Sequence, residues 1–95
     1  MKRINRLLLK ARKQSAGNVF VHMGMLDRDG DKYKLTISLW DGVEGSAQGR
    51  DDWRIDYYFN THDEAKAKWE DVQTQYGTNR KYEPVLLIFY GRGDE

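Results

Sequence analysis

Residues 61–77, THDEAKAKWEDVQTQYG, carry a start signal, a periodic apolar face and a stop signal that all describe one amphipathic helix. Thr61 and Glu64 stand at the S/T-x-x-E spacing of a capping box. In that motif the threonine oxygen accepts from an orphan helix amide and the glutamate reaches back to the cap residue's own amide. Asp63 and Glu64 place negative charge at the positive end of the helix dipole. Ala65, Trp69, Val72 and Tyr76 recur at helical spacing and share one stripe, while Lys66, Lys68, Glu70 and Asp71 lie away from it. Gly77 reads as a left-handed stop. Such a stripe is a packing device, and the rest of the chain packs around it.

The surface it packs on is written in strands. In residues 19–26 the side chains of Val19, Val21, Met23 and Met25 should share one face and Phe20, His22, Gly24 and Leu26 the other. Asp29-Gly30 suits the positive φ angles of a tight hairpin turn. Beyond it Tyr33, Leu35, Ile37 and Leu39 alternate with Lys34, Thr36, Ser38 and Trp40. A third strand alternates Trp53, Ile55, Tyr57 and Phe59 with Arg54, Asp56, Tyr58 and Asn60. Residues 85–90, VLLIFY, are an apolar run of strand length ending at Gly91. The helix at 62–76 spans ~22 Å, close to the ~23 Å of a seven-residue strand, so it can lie along the sheet.

Ahead of the strands, Ile4, Leu7, Leu8 and Ala11 fall at i, i+3, i+4 and i+7, which makes residues 1–14 a short helix with a basic back, stopped by 15–18. Residues 41–52 hold three glycines and little that could be buried, and are expected to be a flexible loop. The fold class expected is α+β in the order α-β-β-β-α-β, with a four-stranded mixed sheet. A right-handed crossover through the second helix gives strand order 3-2-1-4. The 61–77 helix should take a uniformly apolar face. The other face should split into a greasy half (Phe20, Leu26, Leu86, Ile88, Tyr90) and a wet half (Lys34, Thr36, Ser38, Arg54, Asp56). An apolar edge strand left open invites aggregation, so the N-terminal helix is expected on or near that second face, and a second copy of the chain is the next candidate to cover it.

Ninety-five residues, 33% of them charged, suit one domain over 1–95 with a single core. No run approaches the ~18 apolar residues of a membrane span, and residues 7–9 are too short for a signal-peptide core, so a cytoplasmic location is expected. With no cysteine, the fold must hold by packing alone, without disulfides or thiolate metal sites. The net charge of +1 hides an asymmetry: residues 1–14 contain six basic residues and no acid, and the other ten basic and fifteen acidic residues leave the body at −5.

That basic leader has three readings. It is the solvated back of a packed helix, a nucleic-acid contact using Lys2, Arg3, Arg6, Lys10, Arg12 and Lys13, or a helix lying on an anionic membrane surface. Against the second, nothing there reads bases, and the acidic body repels a duplex. Asp27, Asp29 and Asp31 fail as a calcium loop, which needs glycine and glutamate where this chain has Lys32 and Ser38. His22 and His62 have no second ligand at metal spacing. Gly42, Gly45 and Gly49 lie between strands rather than opening a helix, so they lack the dipole of a phosphate loop. The 41–52 loop reads as solvated or as a binding loop, with Trp40 and Trp53 as anchors at its roots and Arg50, Asp51 and Asp52 as rim. Arg92-Gly93-Asp94 is a chance tripeptide. No catalytic residue, metal site or cofactor is indicated.

The leader MKRINRLLLKAR, the LWDG at 39–42 and the THDEA at 61–65 together resemble small uncharacterised proteins encoded by phages and prophages of Gram-positive bacteria. The resemblance covers about a third of the chain and implies an accessory protein that binds a component of the host or phage. The expectation is a non-enzymatic module acting by protein contact, to an unknown partner or to itself, through Trp40, Arg50, Trp53, Leu86, Ile88 and Tyr90. The alternative is a nucleic-acid binder using the basic helix.

Overall fold

A computed structural model describes residues 2–15, 19–42, 51–77 and 84–89. Its elements are α1 (Lys2–Gln14), β1 (Phe20–Asp29), β2 (Lys32–Trp40), β3 (Arg54–Phe59), α2 (His62–Tyr76) and β4 (Val85–Ile88), with a single 3-10 turn at Asp51–Trp53 before β3. The four strands form one mixed sheet in the order β3-β2-β1-β4, with β4 parallel to β1 and the other pairs antiparallel. Fold class, element order and strand order are those expected. Arg50 and Tyr90, both expected contact residues, lie outside the described residues, as does most of the 41–52 loop.

Helix α2 starts as its sequence indicates. Thr61 is extended at φ −128°, and its Oγ1 accepts from the Glu64 amide at 3.1 Å. The Glu64 carboxylate returns to the threonine hydroxyl at 3.0 Å rather than to the cap amide. Ala65, Trp69 and Val72 are buried, and Tyr76 packs against the same core. At the far end Gly77 is not left-handed, with φ −88°; its amide donates to Gln73 O at 2.8 Å, and a Cβ there would sit 2.3 Å from that oxygen. Close approach, not backbone handedness, requires glycine there. The hairpin turn also shifts by one residue. Asp29 pairs with Lys32, so the loop is Gly30-Asp31, with positive φ at Gly30 alone, as in turns with glycine at the first central position.

The largest departure from strict alternation is a β-bulge in β1. Val21 pairs with Leu39 and Met23 with Ser38, leaving His22 as the extra residue. The bulge reverses the parity of everything after it. Val21, Gly24 and Leu26 therefore share a face with Leu35, Ile37 and Leu39, while Met23 and Met25 turn to the other side with Phe20. On β4, Leu86 pairs with Gly24 and Ile88 with Leu26, so both belong to the first face and not to the expected greasy half of the second.

Gly24 then becomes a seat. The Trp69 indole from α2 lies so close over it that a Cβ would be 2.5 Å from Cε3 and 2.6 Å from Cζ3. Any side chain at 24 would lift α2 off the sheet.

Helix α1 lies beside α2 rather than across the second face. Asn5 Oδ1 accepts from the Tyr76 hydroxyl at 2.5 Å, and the Arg3 guanidinium and Lys68 ammonium both sit over the Tyr57 ring, 4.7 and 4.6 Å from its centroid. Arg12 clasps Val19 O through Nε and Nη2 at 3.3 and 3.2 Å, and Gln14 accepts from the buried Trp53 indole at 2.8 Å. The reason is geometric. A four-stranded sheet is about 15 Å between its outer strand axes, and one helix covers only about 10 Å of that. The apolar face continues onto Ile55, Tyr57 and Phe59 of β3, so a second helix is needed there. Ile4, Leu8 and Ala11 supply it, with all three buried.

Gly24→Ala should cost about 1–3 kcal/mol of stability through overpacking under the indole. Trp69→Leu in the same chain should recover part of that, a negative coupling in the double-mutant cycle. Gly30→Ala, which meets open space but keeps φ at +64°, should cost about 1–2 kcal/mol with no coupling to residue 69. Urea unfolding of the single and double variants measures all three effects.

Candidate functional site

With both helices on one side, the opposite face of the sheet carries no layer among the described residues. Its composition follows from the registers. One row runs Val85, Met23, Ser38, Arg54 and the next Leu87, Met25, Thr36, Asp56 across β4, β1, β2 and β3. Asp27, Lys34 and Tyr58 form a third row at the hairpin end, with Phe89 continuing from β4. At the opposite end Phe20 packs edge-on to Trp40 at 6.0 Å, and the His22 ring lies 4.9 Å from the same indole. The face is thus apolar along β4 and β1 and polar along β2 and β3.

The polar half is electrically balanced. Lys34 and Arg54 stand with Asp27 and Asp56 around a depression of about 420 Å³ floored by Met25, Thr36 and Phe89. The Thr36 hydroxyl donates to Asp56 Oδ1 at 2.6 Å, which fixes that carboxylate against its cross-strand neighbour. The Asp27 carboxylate accepts from the Arg28 amide at 2.7 Å. The apolar half is open to water: Val85 is 48% exposed, Leu87 40% and Phe89 59%. A contiguous exposed apolar strip beside a charged rim is the composition of a contact surface rather than of an idle one.

The expected contact residues distribute unevenly over this picture. Trp40 belongs to the face, half-buried against Phe20 and His22. Trp53 does not. It is 2% exposed and hydrogen-bonded to Gln14, so it is core. Leu86 packs against the core from the helix side, and Ile88, on that same side, is 41% exposed beyond the helices. Met23, Met25, Leu87 and Phe89, which the alternation argument left out, make the apolar strip instead. The signal that could have found them is Gly24, because a glycine inside a strand points to a bulge or a close backbone approach, and here it lies under the Trp69 indole two residues beyond the bulge at His22.

The basic helix divides as well. Arg3 donates to Asp56 O at 3.2 Å and Arg12 to Val19 O, so both anchor α1. Lys2, Arg6, Lys10 and Lys13 are exposed and meet no acidic side chain among the described residues. Arg3, Arg6 and Lys10 also rim a cleft of about 270 Å³ floored by Leu7 and Ile55. Burial raises the Tyr57 hydroxyl pKa, which nearby Arg3 partly offsets, and burial also raises that of Tyr76, with Tyr57 adding to it. Among the described residues there is no cluster of three metal-ligating side chains, and no helix is long and apolar enough to cross a membrane.

Burial lowers the pKa of His22 below its ordinary value of 6.5. Folding therefore favours the neutral imidazole. Stability from this site is complete above pH 6.5 and declines as pH falls from 6.5 towards the folded value, while the unfolded chain takes up the proton first. His22→Gln should flatten that part of the stability profile, read from urea midpoints between pH 5 and 8. Compared with known families, with curated proteins and with solved structures, the chain matches none.

Proposed function

We propose that this chain is a non-enzymatic binding module that acts by protein contact across the uncovered face of its sheet. The observation that carries the reading is the placement of both helices on one side, which leaves exposed Leu87 and Phe89, with half-buried Met23 and Met25 between them and a charge-balanced rim, on a face without a covering layer among the described residues. The rim of two cations and two carboxylates does not favour a polyanion, but it can give orientation to a protein partner. The depression among those charges is open and shallow, and the Thr36 hydroxyl is held on Asp56. Catalysis works best where convergent polar groups sit in a site that excludes water, and the openness of this depression supports a contact surface instead. In keeping with its resemblance to phage and prophage proteins, the partner is a host or phage component met in the cytoplasm.

A photo-crosslinking residue at Met25 or Phe89, in the full chain expressed in a Gram-positive host, tests this. Discrete adducts are expected from those two positions and none from Lys66 on the outer side of α2. Equal labelling at all three, or none, would contradict it.

The second reading is nucleic-acid binding through α1, and one observation favours it: Lys2, Arg6, Lys10 and Lys13 are exposed cations without acidic partners among the described residues. It predicts affinity for duplex or single-stranded DNA that falls steeply between low and physiological salt. Replacing those four residues by glutamine should remove both the affinity and the slope, read by fluorescence anisotropy. Arg3 and Arg12 stay in place because they anchor the helix.

A further inference from the structure

The two edges of the sheet are treated differently. On β3, the outward-facing carbonyl of Asp56 is occupied by Arg3, and the strand carries Arg54 and Asp56. Capping and charge of this kind are how natural sheets blunt an edge. On β4 neither device is present among the described residues. The Phe89 amide donates to Leu26 O at 3.0 Å, so Val85, Leu87 and Phe89 turn their backbone groups towards β1, and Leu86 and Ile88 turn theirs outward. No other described element meets those outward groups. Residues 85–89 contain no charge, glycine or proline, and four of the five are 40% exposed or more.

We propose that β4 pairs antiparallel with β4 of a second copy of this chain, joining two four-stranded sheets into one continuous sheet. The strand is complementary to itself. About a two-fold axis at Leu87, Leu86 of one copy faces Ile88 of the other, and each such pair exchanges both of its N–H···O bonds. All the outward groups of both strands are then satisfied. A two-fold axis perpendicular to the sheet is the commonest symmetry of such pairs and keeps both uncovered faces on the same side. The two Leu87 and Phe89 strips then merge into one apolar band. This deepens the protein-contact reading by making the first partner a second copy, but it stands on the edge of β4 and not on what the face binds.

The test uses the absence of cysteine from the chain. Leu87 lies on the proposed axis in a non-hydrogen-bonded pair with its own mate, where Cα atoms are ~4.5 Å apart and within disulfide reach. Leu87→Cys should therefore form a disulfide-linked dimer about a hundredfold faster than Lys66→Cys at micromolar concentration, because the thiols meet at millimolar effective concentration. Sedimentation of the unmodified chain should show mass rising from 11.2 kDa to twice that with concentration. Ile88→Pro removes an outward amide without touching the ladder to β1, and should return the mass to that of a monomer. Circular dichroism on this variant checks that the sheet remains. Leu87→Lys is the second route to the same loss.

A chain that stays monomeric, or a dimer in which Leu87→Cys crosslinks no faster than Lys66→Cys, overturns the proposal. Heterologous adducts from Met25 in a monomeric chain would do so while leaving the broader protein-contact reading intact. A dimer with no such adducts would support the β4 pairing alone.

Discussion

The structure depends on the contact between the Trp69 indole and the bare backbone of Gly24. An indole can approach a strand that closely only where there is no Cβ, and Gly24 faces the helix only because the bulge at His22 reverses the parity of β1. Three consequences follow from this one local irregularity. Helix α2 settles against the middle of the sheet. Helix α1 fills the remaining apolar surface over β3. Met23 and Met25, which strict alternation would have buried with Val21, go to the opposite face.

The uncovered face is therefore a product of packing rather than a separate addition. The apolar side of the sheet is too wide for one helix and is closed by two, which uses both helices of the described chain. What remains on the other side is a surface with an apolar half and a balanced polar half. Thr36 and Ser38 are nearly buried there on the second strand, flanked by the side chains of their neighbours, and no element among the described residues lies above them. The same packing engages two of the six leader cations within the chain, since Arg3 and Arg12 hold α1 to β3 and to the start of β1.

Much of the fold was legible in the sequence for identifiable reasons. The Thr61 cap, the Ala65-Trp69-Val72 stripe and the alternation in β2 each express a local rule that tertiary structure did not override, and the right-handed crossover then fixed the strand order. The failures have a common origin. Bulges are decided by what packs on a strand, so the period-2 reading of β1 was correct up to Val21 and inverted from Met23 onward. That inversion carried Leu86 and Ile88 to the wrong face and made a place for α1 where none was needed. Trp53 was misread because its neighbours suggested a loop root, whereas its indole reaches Gln14 across 39 residues of sequence, a pairing no local pattern announces. The alternation in β2 put Trp40 on the face it occupies, but its partners Phe20 and His22 became visible only in space.

The most direct measurement exploits the three methionines of the chain, two of which lie on the uncovered face. With methionine, leucine and isoleucine methyls labelled and a soluble paramagnetic agent added, NMR relaxation reports which of them meet solvent. Enhancement at the half-buried Met23 and Met25 is expected to lie well above that of the core methyls of Leu35 and Ile37 beneath the helices. Enhancement at Met23 and Met25 as low as in that core would mean that the face is covered, and would contradict the claim that this surface is open for contact.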